Sequence, residues 1–224
     1  MELGADGVEL DVHASADARL VVMHDVTLRP DDFGERFGCD ERSADIKRLD
    51  AGSWFGAEHA GEPVPFLEDV LQLTAERFEI QLKGFTAEFV DAVVDTVLAE
   101  GALERVEFTS SEPLLLAMVR RRLPGARIGV FAPPVEEWLP WDVHLLRTRA
   151  LVELVEVEVQ IVHFAAQHVD AAIVAVVDSW GYGLHAADVA DRDLDRVLEL
   201  GVTRLTTNNP GVAIARRAAR TGAG

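Results

Sequence analysis

The stretch GADGVELDVHASADARLVVMHD, at Gly4–Asp25, predicts two short apolar strands that carry acidic and histidine side chains at their ends. Alternate side chains of a strand share one face, so Glu9 and Asp11 point to the same side, opposite to Leu10. Two carboxylates in a partly buried site raise each other's pKa unless a cation or a proton lies between them. This spacing therefore indicates a metal site.

The second strand of this stretch brings a histidine to the same end. Leu20–Met23 is apolar and is followed by His24, on the face of Val22, which places the imidazole within reach of whatever the carboxylates hold. His13 lies on the Glu9 face just past the first strand, at the mouth of the expected site. Both a structural role and a substrate-binding role are open for His13.

Composition narrows the classes of function. The 224 residues, 49% of them hydrophobic, favour a single domain over residues 1–224 with a large core. A net charge of −18 argues against binding to nucleic acid or anionic membranes. No stretch approaches the ~18 unbroken apolar residues of a membrane helix, and no secretory signal pattern opens the chain. The single cysteine, Cys39, fits a reducing compartment, so we expect a soluble, cytoplasmic protein.

The chain divides into an irregular and a regular part. Residues 27–64 show little periodicity, and we expect a lid-like excursion there. Trp54 and Phe55 within it either stack on a substrate alcohol or, as we favour, pin the excursion onto the domain. Beyond it, strands and helices alternate, which indicates a parallel sheet covered by helices. A helix is expected over Phe66–Phe78, and Val152–Val162 alternates in a way that suits a strand.

The opening motifs G-A-D-G-V-E-L-D-V and V-V-M-H-D resemble the glycerophosphodiester phosphodiesterase family. This resemblance implies a (β/α)8 TIM-like barrel and metal-dependent hydrolysis of a small anionic phosphodiester to glycerol 3-phosphate and an alcohol. It extends over nearly the whole chain through four weaker motifs: LDAGSWF at Leu49–Phe55, IQLKG at Ile80–Gly84, FTSSEP at Phe108–Pro113 and LTTNNP at Leu205–Pro210.

The resemblance also implies roles for individual residues. Glu9 and Asp11 would hold a divalent metal, with Gln81 completing its shell weakly, because the family has a carboxylate at that position and an amide brings no charge. Oxygen ligands favour Mg²⁺ or Ca²⁺ over metals that prefer soft ligands. Lys83, on the strand face of Gln81, would contact phosphate, and His24 would act as general acid or base.

The chain departs from the family in several places. The family's first strand, with a His-Arg-Gly motif, and most of its first helix have no counterpart, so we expect that the natural polypeptide starts upstream of Met1. A barrel short of one strand has two open edges that invite pairing with another chain, and a homo-oligomer is a further expectation. Late in the chain, the family's W-T-V-N and T-D-x-P motifs are replaced at Ala187–Ala190 and Thr207–Pro210.

These departures leave alternatives to the hydrolase. One is a catalytically impaired pseudoenzyme that serves as a binding or regulatory protein. Another is a related barrel that acts on phosphoinositides or sphingolipids, which the acidic composition disfavours. Four histidines follow no pattern and are expected to be structural: His144, His163, His168 and His185.

Overall fold

The computed structural model describes residues 3–25, 27, 38–134, 140–154, 159–202 and 204–221. The strands among these residues are β1 Gly7–Ala14, β2 Leu20–Val22, β3 Arg77–Leu82, β4 Val106–Ser110, β5 Arg127–Phe131, β6 Ile161–Ala165, β7 Gly183–Ala187 and β8 Arg204–Leu205. The α-helices are α1 Ser43–Ile46, α2 Leu67–Leu71, α3 Ala87–Ala99, α4 Pro113–Arg122, α5 Trp141–Leu154, α6 Ala171–Ser179, α7 Leu194–Glu199 and α8 Pro210–Thr221. None of these helices has both the length and the apolar composition needed to span a bilayer.

The strands form one sheet in the order β2-β1-β3-β4-β5-β6-β7-β8. β2 folds back antiparallel on β1, and all other neighbouring pairs are parallel. Arg204 on β8 lies 2.8 Å from Glu107 on β4, although four strand spacings would separate these strands by ~19 Å in a flat sheet. The sheet is therefore curled into a partial barrel, which confirms the TIM-like fold.

The core lies between the outer face of this sheet and its helices. Alternate strand residues such as Leu10 and Phe108 are buried in one apolar cluster with the inner stripe of α3. That helix begins where Thr86 Oγ1 accepts a hydrogen bond from the backbone N–H of Phe89 at 3.2 Å. It ends before Gly101, whose φ of +60° suits glycine. The remaining strand positions, which carry the polar side chains, face the interior of the barrel.

Residues 38–66 are attached to the barrel by a second, smaller apolar cluster. Its buried members are Val21, Ile46, Val64 and Phe66. The cationic groups of Arg19 and Lys47 lie 4.4 Å from the centre of the Phe66 ring, which adds two cation–π contacts. Trp54 and Phe55 are each 65% exposed. The prediction that these two aromatic residues pin the excursion is thus wrong, because the smaller cluster does so instead.

Two predicted elements have different bounds in the structure. The helix expected over Phe66–Phe78 has only the five residues of α2, because the Arg105 guanidinium binds the carbonyl oxygens of Leu71, Leu73 and Ala75 at 3.1–3.3 Å. The strand expected over Val152–Val162 is also wrong: α5 extends to residue 154 and β6 begins at residue 161, while residues 155–158 lie outside the described part.

Candidate active site

The carboxyl end of β1 carries the expected pair of carboxylates. Leu10 on the opposite face is buried in the core, which turns Glu9 and Asp11 into the barrel. The register with β3 sets Glu9 beside Glu79 and Asp11 beside Gln81. Three of the predicted site residues are therefore brought together by two neighbouring parallel strands.

Lys83 supplies a positive charge next to this pair. Its backbone N–H donates to the Val12 carbonyl at 3.1 Å, which extends the β1–β3 ladder one residue beyond β3. The side chain turns inward, and Nζ lies 3.1 Å from Asp11 Oδ1. Oδ1 is buried and accepts no hydrogen bond from the described residues. A lone pair of Asp11 is thus available to a cation at the mouth of the barrel.

The protonation of Glu9 reflects the crowding of negative charge around it. Burial raises its pKa, and the charges of Asp11, Glu79 and Asp188 raise it further, to about 8, against an opposing effect of Lys83. Asp188 belongs to the segment that the sequence analysis treated only as a departure from the family. A divalent cation would offset the repulsion between these carboxylates and so favour the ionised form of Glu9. Because the donors here are oxygen atoms, they fit Mg²⁺ or Ca²⁺.

The two predicted histidines lie beside this group in different environments. His13 is buried, its pKa is lowered mainly by burial, and its Nε2 lies 3.4 Å from the His24 carbonyl oxygen. The side chain of His24 is 76% exposed, and Nδ1 lies 2.8 Å from Asp25 Oδ1. In the described part of the chain, the hydrogen-bond partner of this imidazole is Asp25.

A second polar cluster lies in the barrel interior next to Glu9. It contains Glu79 from β3, His163 from β6 and His185 from β7, and their donor atoms all lie within 4.8 Å of one another. His163 Nδ1 and His185 Nδ1 are each 3.2 Å from a Glu79 oxygen. The group can hold a divalent metal ion, since histidine nitrogen and carboxylate oxygen are both metal ligands.

The surrounding charges keep this cluster anionic. Burial raises the pKa of Glu107, but His163 and Arg204 outweigh that effect and hold it at about 2. For Glu79, burial is likewise outweighed by the imidazoles of His185 and His163, so its pKa is lowered. Burial lowers the pKa of His185, which favours the neutral form of this imidazole. Two ionised carboxylates therefore face a single guanidinium.

The prediction that His163 and His185 follow no pattern missed this cluster. Each histidine stands in the middle of an apolar strand, in the sequences IVHFA and GLHAA. A polar residue in that position of a buried strand signals an inward-facing group that needs a partner. The partners lie on distant strands and become visible only once the sheet is curled.

Comparisons with known proteins agree with this geometry. The model of the glycerophosphoryl diester phosphodiesterase family matches residues 1–212. A glycerophosphodiester phosphodiesterase of Caldanaerobacter subterraneus is 35% identical over 146 residues, which cover 62% of this chain and 60% of that protein. A glycerophosphodiester phosphodiesterase of Bacillus subtilis is 25% identical over 228 residues, which cover 93% of this chain and 75% of that protein. The chain thus matches about three fifths of the length of the first relative.

Solved structures share the fold. A glycerophosphodiester phosphodiesterase from Agrobacterium tumefaciens superposes with a TM-score of 0.70 at 23% identity, covering 96% of this chain and 88% of that one. A phosphodiesterase from Oleispira antarctica, in complex with the product sn-glycerol-3-phosphate, gives a TM-score of 0.77 at 20% identity, with coverage of 98% and 87%. The pseudoenzyme alternative receives no support from these relatives, which are named as phosphodiesterases.

Proposed function

Because the chain belongs to the glycerophosphoryl diester phosphodiesterase family, we propose that it hydrolyses glycerophosphodiesters to glycerol 3-phosphate and an alcohol. A divalent cation, Mg²⁺ or Ca²⁺, is held by Glu9, Asp11 and Gln81 in this proposal. The observation that carries it is the crowding of carboxylates that raises the pKa of Glu9 to about 8. A small anionic substrate is supported by the Oleispira antarctica phosphodiesterase, which binds sn-glycerol-3-phosphate.

The cation site and Lys83 both place positive charge next to the phosphate in this proposal. A divalent cation held by Glu9, Asp11 and Gln81 would supply Lewis acidity and positive charge next to the phosphate. Lys83 now lies against Asp11, with its side chain 25% exposed. Its flexible stem allows Nζ to turn from Asp11 to a phosphate oxygen, where it acts as a point charge.

His24 is the proposed general acid or base. Asp25 Oδ1 accepts a hydrogen bond from Nδ1–H of His24, which leaves Nε2 with its lone pair. Nε2 can then accept a proton from an attacking water and return it to the leaving alcohol. His13 donates toward the His24 carbonyl oxygen, and we propose that it orients the turn that carries His24.

Activity of a His24→Ala variant tests this assignment. We expect turnover of glycerophosphocholine to fall by about 10²–10⁴-fold, the usual contribution of a general acid or base. The exposed side chain contributes little to folding, so the melting temperature should not change. His59→Ala is the matched control, because His59 is also exposed beside an adjacent acid, Glu58. Near-normal turnover in His24→Ala would refute the role of His24.

Metal binding tests the cation site separately from turnover. Calorimetric titration with Mg²⁺ or Ca²⁺ should show one site in the wild-type protein and a loss of at least tenfold in affinity in Asp11→Asn. The asparagine keeps the shape of the side chain and removes the one negative charge of Asp11, leaving Glu9 as the remaining carboxylate of the proposed cation site. Equal affinity in the two proteins would place the cation elsewhere.

A further inference from the structure

The cluster of Glu79, His163 and His185 has the features of a second metal centre, separate from the carboxylates at the mouth. We propose that it binds one transition-metal ion of the Zn²⁺ class through the Glu79 carboxylate, His163 Nδ1 and His185 Nδ1, and so ties β3 to β6 and β7 across the barrel interior. This inference does not depend on the proposed hydrolysis.

The spacing of the donor atoms supports a tetrahedral ion. With metal–ligand bonds of about 2.0–2.2 Å, neighbouring ligand atoms of a tetrahedral site are ~3.3 Å apart. His163 Nδ1 lies 3.2 Å from Glu79 Oε1, and His185 Nδ1 lies 3.2 Å from Glu79 Oε2. The rings of the two histidines are 4.4 Å apart between centroids. All three residues are at most 7% exposed.

These close approaches do not have the geometry of good hydrogen bonds. Glu79 Oε1 and both Nδ1 atoms are buried and have no hydrogen-bond partner among the described residues. Leaving several polar atoms unpaired in a barrel interior is costly. A cation at the point where they converge would satisfy all of them at once.

The groups that face the Nε2 atoms of the two histidines favour ligation of a metal ion by Nδ1. His185 Nε2 lies 2.7 Å from Thr206 Oγ1, so Nε2–H can donate to the hydroxyl while Nδ1 keeps its lone pair. His163 Nε2 faces Glu107 Oε1 at 3.6 Å. Glu107 is itself fixed by two hydrogen bonds from Arg204, at 2.8 and 3.1 Å. A carboxylate behind a ligating histidine is a common support of metal sites.

The net charge of the cluster and the room around the His163 ring also suit a bound cation. The carboxylates of Glu79 and Glu107 outnumber the guanidinium of Arg204, which leaves one negative charge for a cation to neutralise. Room for the His163 ring is made by Gly129 on β5, since a Cβ there would lie 2.5 Å from His163 Nε2. Nitrogen ligands favour Zn²⁺ and its neighbours, whereas the oxygen donors of Glu9 and Asp11 favour Mg²⁺ or Ca²⁺.

Titration of the metal-free protein with Co²⁺, in the presence of saturating Mg²⁺, tests the proposal. We expect one equivalent of bound Co²⁺ with the strong visible absorption of a tetrahedral complex, displaced by Zn²⁺ but not by Ca²⁺. His163→Ala and His185→Ala should abolish this absorption. His144→Ala is the matched control, because His144 is an equally buried histidine, and it should bind Co²⁺ as the wild type does.

Two further variants keep the test decisive if a histidine variant fails to fold. Thr206→Val preserves the shape of the side chain and should weaken Co²⁺ binding by about 10–100-fold, as expected for loss of a supporting hydrogen bond. Asp11→Asn should retain the absorption, because Asp11 belongs to the other site. The proposal is overturned if folded wild-type protein binds no Co²⁺, if Thr206→Val binds it unchanged, or if Asp11→Asn loses it.

Discussion

Replacing Glu9 by glutamine should stabilise the metal-free protein at alkaline pH. The pKa of Glu9 is raised from 4.5 to about 8 by burial and by the charges of Asp11, Glu79 and Asp188. Ionising this side chain in the folded protein therefore costs free energy that glutamine, which has nearly the same shape, does not incur. The difference between the two pKa values corresponds to roughly 5 kcal/mol. Solvent at the partly open mouth should reduce this to about 2–4 kcal/mol.

The pH dependence follows from the direction of the pKa change. Below about pH 4.5, Glu9 is protonated in both the folded and the unfolded chain, so its ionisation imposes no penalty. Between that pH and about 8, the unfolded chain loses its proton first, and the stability of the folded protein falls as the pH rises. Above about pH 8 the full penalty is present. Glu9→Gln should therefore gain its largest advantage over the wild type at pH 9.

Urea unfolding in EDTA at pH 5 and pH 9 measures this effect. Glu76→Gln is the control, because Glu76 is exposed, and its unfolding free energy should follow that of the wild type. Saturating Mg²⁺ or Ca²⁺ should remove the advantage of Glu9→Gln, since a cation favours the ionised carboxylate. If Glu9→Gln and wild type lose stability equally between pH 5 and pH 9, the crowding of charge around Glu9 is not as described.

Three further substitutions probe the same interior. Gln81→Glu adds a carboxylate beside Asp11 and should tighten Mg²⁺ or Ca²⁺ binding by at least tenfold in calorimetry; unchanged affinity would remove Gln81 from the cation site. Lys83→Met should raise the KM for glycerophosphocholine, because a positive charge near the phosphate is lost, and an unaltered KM would exclude that contact. Arg204→Met leaves Glu107 without its guanidinium and should lower the free energy of unfolding by about 3–5 kcal/mol. The exposed pair of Arg216 and Asp195 gives the control Arg216→Met, expected to cost less than about 1 kcal/mol; equal losses in both would contradict a buried charge network.

Much of the site at the mouth of the barrel could be predicted because it depends on local sequence. Glu9 and Asp11 share a face through the two-residue period of a strand, and Gln81 and Lys83 follow the same rule on the next parallel strand. Register then places Asp11 beside Gln81. The environment of His24 was not predictable in this way, because its orientation depends on the turn after β2 and on Asp25.

The interior cluster could not be predicted because it depends on the curl of the whole sheet. Glu79, His163 and His185 come from three strands that are far apart in sequence, and no local period relates them. The early end of α2 has a similar origin. Arg105, which is 30 to 34 residues further along the chain, binds the carbonyl oxygens of Leu71, Leu73 and Ala75, and these would otherwise accept the hydrogen bonds that continue the helix. The helical periodicity of Phe66–Phe78 is local, so it cannot predict a contact with a distant arginine.

The most direct test of the proposed activity is the release of glycerol 3-phosphate from glycerophosphocholine by the purified 224-residue chain. The account predicts steady release in Mg²⁺ or Ca²⁺, loss of release in EDTA, and recovery when the cation is restored. Folded protein that binds the cation at Asp11 but releases no glycerol 3-phosphate, or release that continues unchanged in EDTA, would contradict it.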